Sequence, residues 1–191
     1  MKPAFAAFSA LAVSLLAPWC FPAQSPGLPP EWDVRDMLAG LTAQTRRIEP
    51  LLAQLHPAEW VARGAPEAYV KQLEQLRKQI GYLDRTAGEL SAEPDRMTKA
   101  LETYLRLQSV EAMAESMVDA VRRYQNPAVA DLIQDLINQN AKYTQQLRDY
   151  LVELVAAKEA ECKIANQEAQ RCRSELIRQP AKPSPARGPR Q

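Results

Sequence analysis

Apolar residues recur along most of this chain at steps of three and four, the spacing that lines one face of an α-helix. The pattern is cleanest from Pro66 onward, where Tyr69, Leu73, Leu76, Ile80, Leu83, Ala87 and Leu90 alternate four- and three-residue steps without a miss. A heptad seam of this kind suits helices packed at a shallow angle with interlocking side chains. An earlier helix is predicted over residues 31–55 from Val34, Met37, Leu38, Leu41, Ile48, Leu51, Leu52 and Leu55, with Pro50 kinking or splitting its last turn. A short turn follows, with Pro57 at a first helical position. Another helix is predicted over about 94–124, on Met97, Ala100, Tyr104, Leu107, Val110, Ala114, Met117, Val121 and Tyr124.

The last periodic segment is different. Nothing stops it from Pro127 to Gln179, since no proline interrupts residues 128–179 and no glycine occurs between 89 and 187. Its first part is strongly apolar: Val129, Leu132, Ile133, Leu136, Ile137, Tyr143, Leu147, Tyr150, Leu151, Leu154 and Val155. Beyond that the stripe thins to Cys162, Ala165, Ala169, Cys172 and Leu176. At 1.5 Å per residue this helix spans about 80 Å, roughly twice the length of the helix before residue 91. The expected fold is therefore all-α: an up-down antiparallel bundle of about four helices, coiled-coil-like in its packing. Its C-terminal helix, from about residue 127, is overlong and projects past the bundle.

The termini carry breakers instead of periodicity. Six prolines precede residue 31 and four follow residue 179. Residues 1–23 read as a signal peptide: Lys2, an apolar run from Ala4 to Leu16, then Phe21-Pro22-Ala23 before Gln24. Pro18 cuts that run short of the about 20 apolar residues a membrane anchor needs, so no stable span is expected after cleavage. Residues 24–30 form a linker, 31–179 the helical body, and 180–191 a basic, proline-rich tail with the composition of disorder. The expected location is outside the cytoplasm, periplasmic or extracellular.

Charge changes the picture little. Removing Lys2 and the tail's Lys182, Arg187 and Arg190 from 24 basic residues leaves the body about three short of its 23 acidic ones. A mildly acidic body does not suit a phosphate backbone, so no nucleic-acid partner is expected.

Candidate chemistry is sparse. His56 is the single histidine, and neither a second His nor a CxxC or CxxCH accompanies it, which leaves a zinc or covalent haem site without ligands. It reads as a helix-entry residue before Pro57. Met113 and Met117 are better core filler than a soft-metal pair. One histidine cannot supply the paired Glu-x-x-His of a di-iron bundle, and no phosphate loop, GxSxG or HExxH occurs. No cofactor, metal or catalytic residue is assigned, and an enzyme is not expected.

Cys162 and Cys172 remain after signal removal. An even pair in an oxidising compartment invites a disulfide. Ten residues apart on one helix they stand about 15 Å apart, beyond the roughly 4.4–6.8 Å between Cα atoms that a disulfide spans. Three arrangements stay open. Two chains could bridge, in parallel or antiparallel pairing; the helix could break and close an internal hairpin; or both thiols could stay free. The function expected is an exported structural or interaction protein of the cell envelope, binding itself or another envelope protein through the seam of Cys162, Ala165, Ala169, Cys172 and Leu176. The alternatives are a bundle holding a small apolar or haem-like guest, and a periplasmic chaperone or adaptor.

Overall fold

A computed structural model describes residues 27–178. The expected signal peptide (1–23), the first three residues of the linker and the basic tail (180–191) lie outside the described residues. Within them the chain is helical, without a strand: α1 Glu31–Arg46, α2 Glu49–Ala53, α3 Pro57–Ala62, α4 Ala68–Ala92, α5 Met97–Tyr124 and α6 Pro127–Arg178. No helix among the described residues is long and apolar enough to cross a membrane.

The predicted helix over 31–55 is two helices, and Pro50 sets the break. A proline removes its own N–H and crowds the carbonyl four residues back. That carbonyl belongs to Arg46, the last residue of α1. Arg47 and Ile48 turn tightly by donating to the Gln44 and Thr45 carbonyls, and Pro50 then sits harmlessly in the first turn of α2. Gly64 adopts φ 94°, a left-handed conformation that suits glycine, and turns the chain from α3 toward α4. Asn126 starts α6, its side-chain Oδ1 accepting from the Ala128 N–H at 2.9 Å.

The four long helices close a ring of antiparallel neighbours. Arg46 pairs with Asp84 at 2.6 Å between α1 and α4. Arg106 donates to Gln79 at 3.2 Å between α5 and α4, and Thr144 donates to Glu111 at 2.6 Å between α6 and α5. Gln44 donates to Gln139 at 2.9 Å and brings α6 back to α1. At the same seam the Tyr143 ring lies over Gly40, whose missing side chain leaves it room.

One apolar core fills the ring. Every member of the α4 seam from Leu73 to Leu90 is buried, with Tyr69 partly so. From α1 come Val34, Leu38 and Leu41, from α5 Leu107, Val110, Ala114 and Met117, and from α6 Ile133, Leu147 and Leu154. At roughly 1.5–3 kcal/mol for each large apolar side chain removed from water, this shared core holds the helices together. The end near α3 is closed by Trp60, which is fully buried and meets Tyr69 edge-on at 6.2 Å. Gln125 clasps that end, its Oε1 accepting from Trp60 Nε1 and the His56 N–H while its amide donates to the Gln54 carbonyl.

Candidate functional site

The core stops before α6 does. Leu154 is its last fully buried residue, Ala157 and Lys158 are half-buried, and every residue from Glu159 to Arg178 is exposed. The last ties between α6 and the bundle lie just ahead of this point. The buried Tyr150 hydroxyl donates to the Pro94 carbonyl in the α4–α5 turn, and Lys158 approaches Asp95 at 3.8 Å. Burial, with Asp95 and Glu31 nearby, raises the Tyr150 pKa, so the phenol stays a donor. Beyond Lys158 the helix continues for another five turns, about 30 Å, with no neighbour among the described residues.

All five seam residues singled out from the sequence lie on this projecting segment. Cys162, Ala165, Ala169, Cys172 and Leu176 share one stripe by their heptad spacing. Leu176 is 67% exposed, and Ile164 and Ile177, which point away from the stripe, are 61% and 84% exposed. The flanks carry ion pairs within the helix, Lys158 to Glu161 at 3.2 Å and Arg171 to Glu175 at 3.3 Å. Both cysteines are free and exposed, and α6 is continuous through them. The internal hairpin allowed by the sequence does not form in this structure, because no break brings the two Cα atoms together.

His56 stands exposed at the entry to α3 and engages the rest of the chain through its backbone N–H. Met117 is fully buried and Met113 packs against the core. Among the described residues no group of three or more His, Cys, Asp or Glu side chains is placed to hold a metal ion.

A second feature was not singled out from the sequence. Between α1 and α6, near the end where α6 leaves the bundle, a groove of about 250 Å³ is floored by Val34, Met37 and Tyr150 and edged by Asp33, Asp149 and Glu153. Its carboxylates come from helices more than 100 residues apart in the chain, so no local spacing could reveal it. It is open, and smaller than the about 300–1,000 Å³ of most small-molecule sites.

The chain matches no family model, no curated protein and no solved structure. The fold thus defines the class, an all-helical bundle with a long C-terminal extension, and the geometry of the extension is the basis for any reading of function.

Proposed function

We propose that this chain is an exported interaction protein of the cell envelope, which binds a second copy of itself or another envelope protein through residues 159–178 of α6. One observation carries the reading: five turns of regular helix stand free of the bundle and keep a heptad stripe of small and apolar residues. A helix in a protein draws most of its stability from packing, which this segment lacks among the described residues. Here the bundle nucleates it, and the charged flanks support it by about 0.2–0.5 kcal/mol per pair. Ala and Leu favour the helix wherever they stand, but gathering them with Cys on one heptad face suits close packing against another helix. The signal-like N-terminus supports an oxidising destination.

The guest-binding alternative has less to draw on. The bundle axis is filled by side chains such as Leu41, Leu76, Leu107 and Leu147, each fully buried. A guest would have to occupy the open groove between α1 and α6, and an absorbance spectrum of the purified protein tests its haem version.

The direct test compares the mature chain with a version ending after Lys158, by size-exclusion chromatography with light scattering and by binding to envelope extracts. Loss of self-association, or of a defined envelope partner, on truncation supports the reading. Identical mass and identical binding for both versions would sink it. Sequencing the N-terminus of the exported protein tests cleavage after Ala23.

A further inference from the structure

The projecting stripe continues the face by which α6 packs into its own bundle. At 100° per residue, the mean direction of Cys162, Ala165, Ala169, Cys172 and Leu176 lies within about 50° of that of the buried Leu147, Tyr150 and Leu154. This limits what can pack on the stripe. A second α6 laid alongside in parallel would run its residues 127–158 down the very face that α1, α4 and α5 already occupy. A second α6 laid antiparallel meets no such obstacle along residues 159–175, because its bundle, whose last tie is Lys158, begins opposite Leu176 of the first.

We propose that two copies of this chain pair antiparallel through residues 159–178 and are joined by two crossed bridges, Cys162 of each chain to Cys172 of the other. This rests on the interaction reading above and commits it to a second copy. The stripe is self-complementary in that orientation. Cys162, Ala165, Ala169 and Cys172 are separated by steps of three, four and three, so they read the same from either end. A two-fold axis beside residue 167 sets Cys against Cys and Ala against Ala in successive layers, as an isologous interface requires. Small residues allow the helix axes to approach to about 8–10 Å. Subtracting the about 2.3 Å Cα radius of each helix leaves facing Cα atoms about 3–5 Å apart, which overlaps the disulfide range.

Charge is compatible with the pairing. Glu159 faces the partner's Arg173, and the pair occurs twice by symmetry. Glu161 and Glu175 would face each other, yet Lys158 and Arg171 already neutralise them within their own helices. Glu168 meets the partner's Glu168 at the axis, so three like-charge contacts in all, open to solvent and screened by salt, accompany the two Glu159–Arg173 pairs.

Bridging needs a disulfide donor, and glutathione disulfide supplies the class. The Cys162 thiolate attacks one donor sulfur, breaks the donor S–S bond and releases one glutathione thiolate. The partner's Cys172 thiolate then attacks the Cys162 sulfur, forming the protein bond and releasing the second. The two protons lost by the cysteines end on the two glutathione sulfurs, and each dimer consumes two donors.

The test exposes the full mature chain to glutathione disulfide and follows it on non-reducing gels. Trypsin cuts after Lys158, Lys163, Arg171 and Arg173, so each cysteine falls in its own peptide. The expected result is a dimer band whose linked peptides join Cys162 to Cys172. Cys162→Ser and Cys172→Ser should each lose the band, and a mixture of the two variants should restore it with a single bridge. Both cysteines are exposed, so the variants should fold as the parent does, with unchanged circular dichroism. Bands that persist in each single variant would mean Cys162–Cys162 and Cys172–Cys172 bonds. They would overturn the antiparallel arrangement and leave self-association standing. A bridged monomer, or a chain that light scattering finds monomeric in both redox states, would overturn the pairing itself. The truncation after Lys158 separately decides whether the segment binds any other protein.

Discussion

The two parts of α6 are one unbroken helix with two different sequences. From Pro127 to Lys158 the inward positions are mostly large side chains, Ile133, Leu136, Ile137, Leu147, Tyr150 and Leu154, joined by Ala130 and Asn140, in a core shared with three other helices. From Glu159 onward the same face carries Cys162, Ala165, Ala169, Cys172 and Leu176, and none of the described residues packs on it. Large residues suit a site where several helices converge. Small ones suit the approach of a single helix at short distance. The change of residue size along one face thus marks where the bundle ends.

The largest effects should separate these two parts. Leu147→Ala empties a fully buried position and should cost the bundle about 2–5 kcal/mol, read as a lower urea midpoint. Leu176→Ala, at a position 67% exposed, should leave the thermal midpoint of the monomer within the roughly ±0.5 kcal/mol typical of surface changes. It should instead weaken association in light scattering. An equal loss of stability from both variants would show that the projecting part is covered by its own chain.

Tyr150 sits at the junction. Its hydroxyl donates to the carbonyl of Pro94, itself buried, so Tyr150→Phe strands an acceptor at a cost of about 1–3 kcal/mol. Hydrogen exchange should then accelerate near the end of the bundled part and not near α3, which would place the loosening at the exit of α6.

The bundled part was the more legible in the sequence. The α4 seam predicted every buried apolar residue of that helix and missed only the buried Thr86, while the length of α6 followed from the absence of breakers. Other features depend on distant contacts. Leu132 fits the apolar pattern of α6 yet is 52% exposed, since it lies off the face its neighbours cover. Val118 and Ala120 lie off the α5 seam yet are buried, beside the end that Trp60 and Tyr124 help to close. The Gln125 clasp joins residues nearly 70 positions apart and leaves no periodic trace. The candidate seam was visible as a stripe. That it continues the core face of the same helix, which decides the direction of a partner, became usable only once the bundle's other helices were in place.

Glycines sharpen the same contrast between covered and open faces. A Cβ at Gly81 or Gly88 would meet nothing within 4 Å, so Ala at either position should stabilise α4 by up to about 1 kcal/mol through helix propensity. At Gly40 the added Cβ would stand 2.7 Å from the Tyr143 hydroxyl. Overpacking of about 1–3 kcal/mol there should outweigh the same propensity gain and lower the thermal midpoint. Opposite signs from chemically identical substitutions would locate the close approach of α6 to α1. A gain at Gly40 would mean that the tyrosine ring swings away freely.

The smallest expected effect concerns Glu111, half-buried on α5 where it receives the Thr144 hydroxyl from the bundled part of α6. Burial raises its pKa, and the Thr144 hydrogen bond only partly opposes that. A carboxyl whose pKa is higher in the folded state binds its proton more tightly there, so its contribution to stability rises as pH falls through the folded value. Above that value the ionised group subtracts a constant amount. Glu111→Gln removes the buried charge and keeps an amide oxygen for Thr144. The variant should therefore exceed the parent by a fraction of a kcal/mol at neutral pH, with the difference vanishing below about pH 4, where the parent carboxyl is also neutral. Glu89 moves the other way, its pKa lowered by the hydrogen bond from Lys99, so the total pH profile mixes both signs. Comparing urea midpoints of variant and parent at each pH cancels that common part. A difference that grows on acidification would place the cost of Glu111 elsewhere than in the burial of its charge.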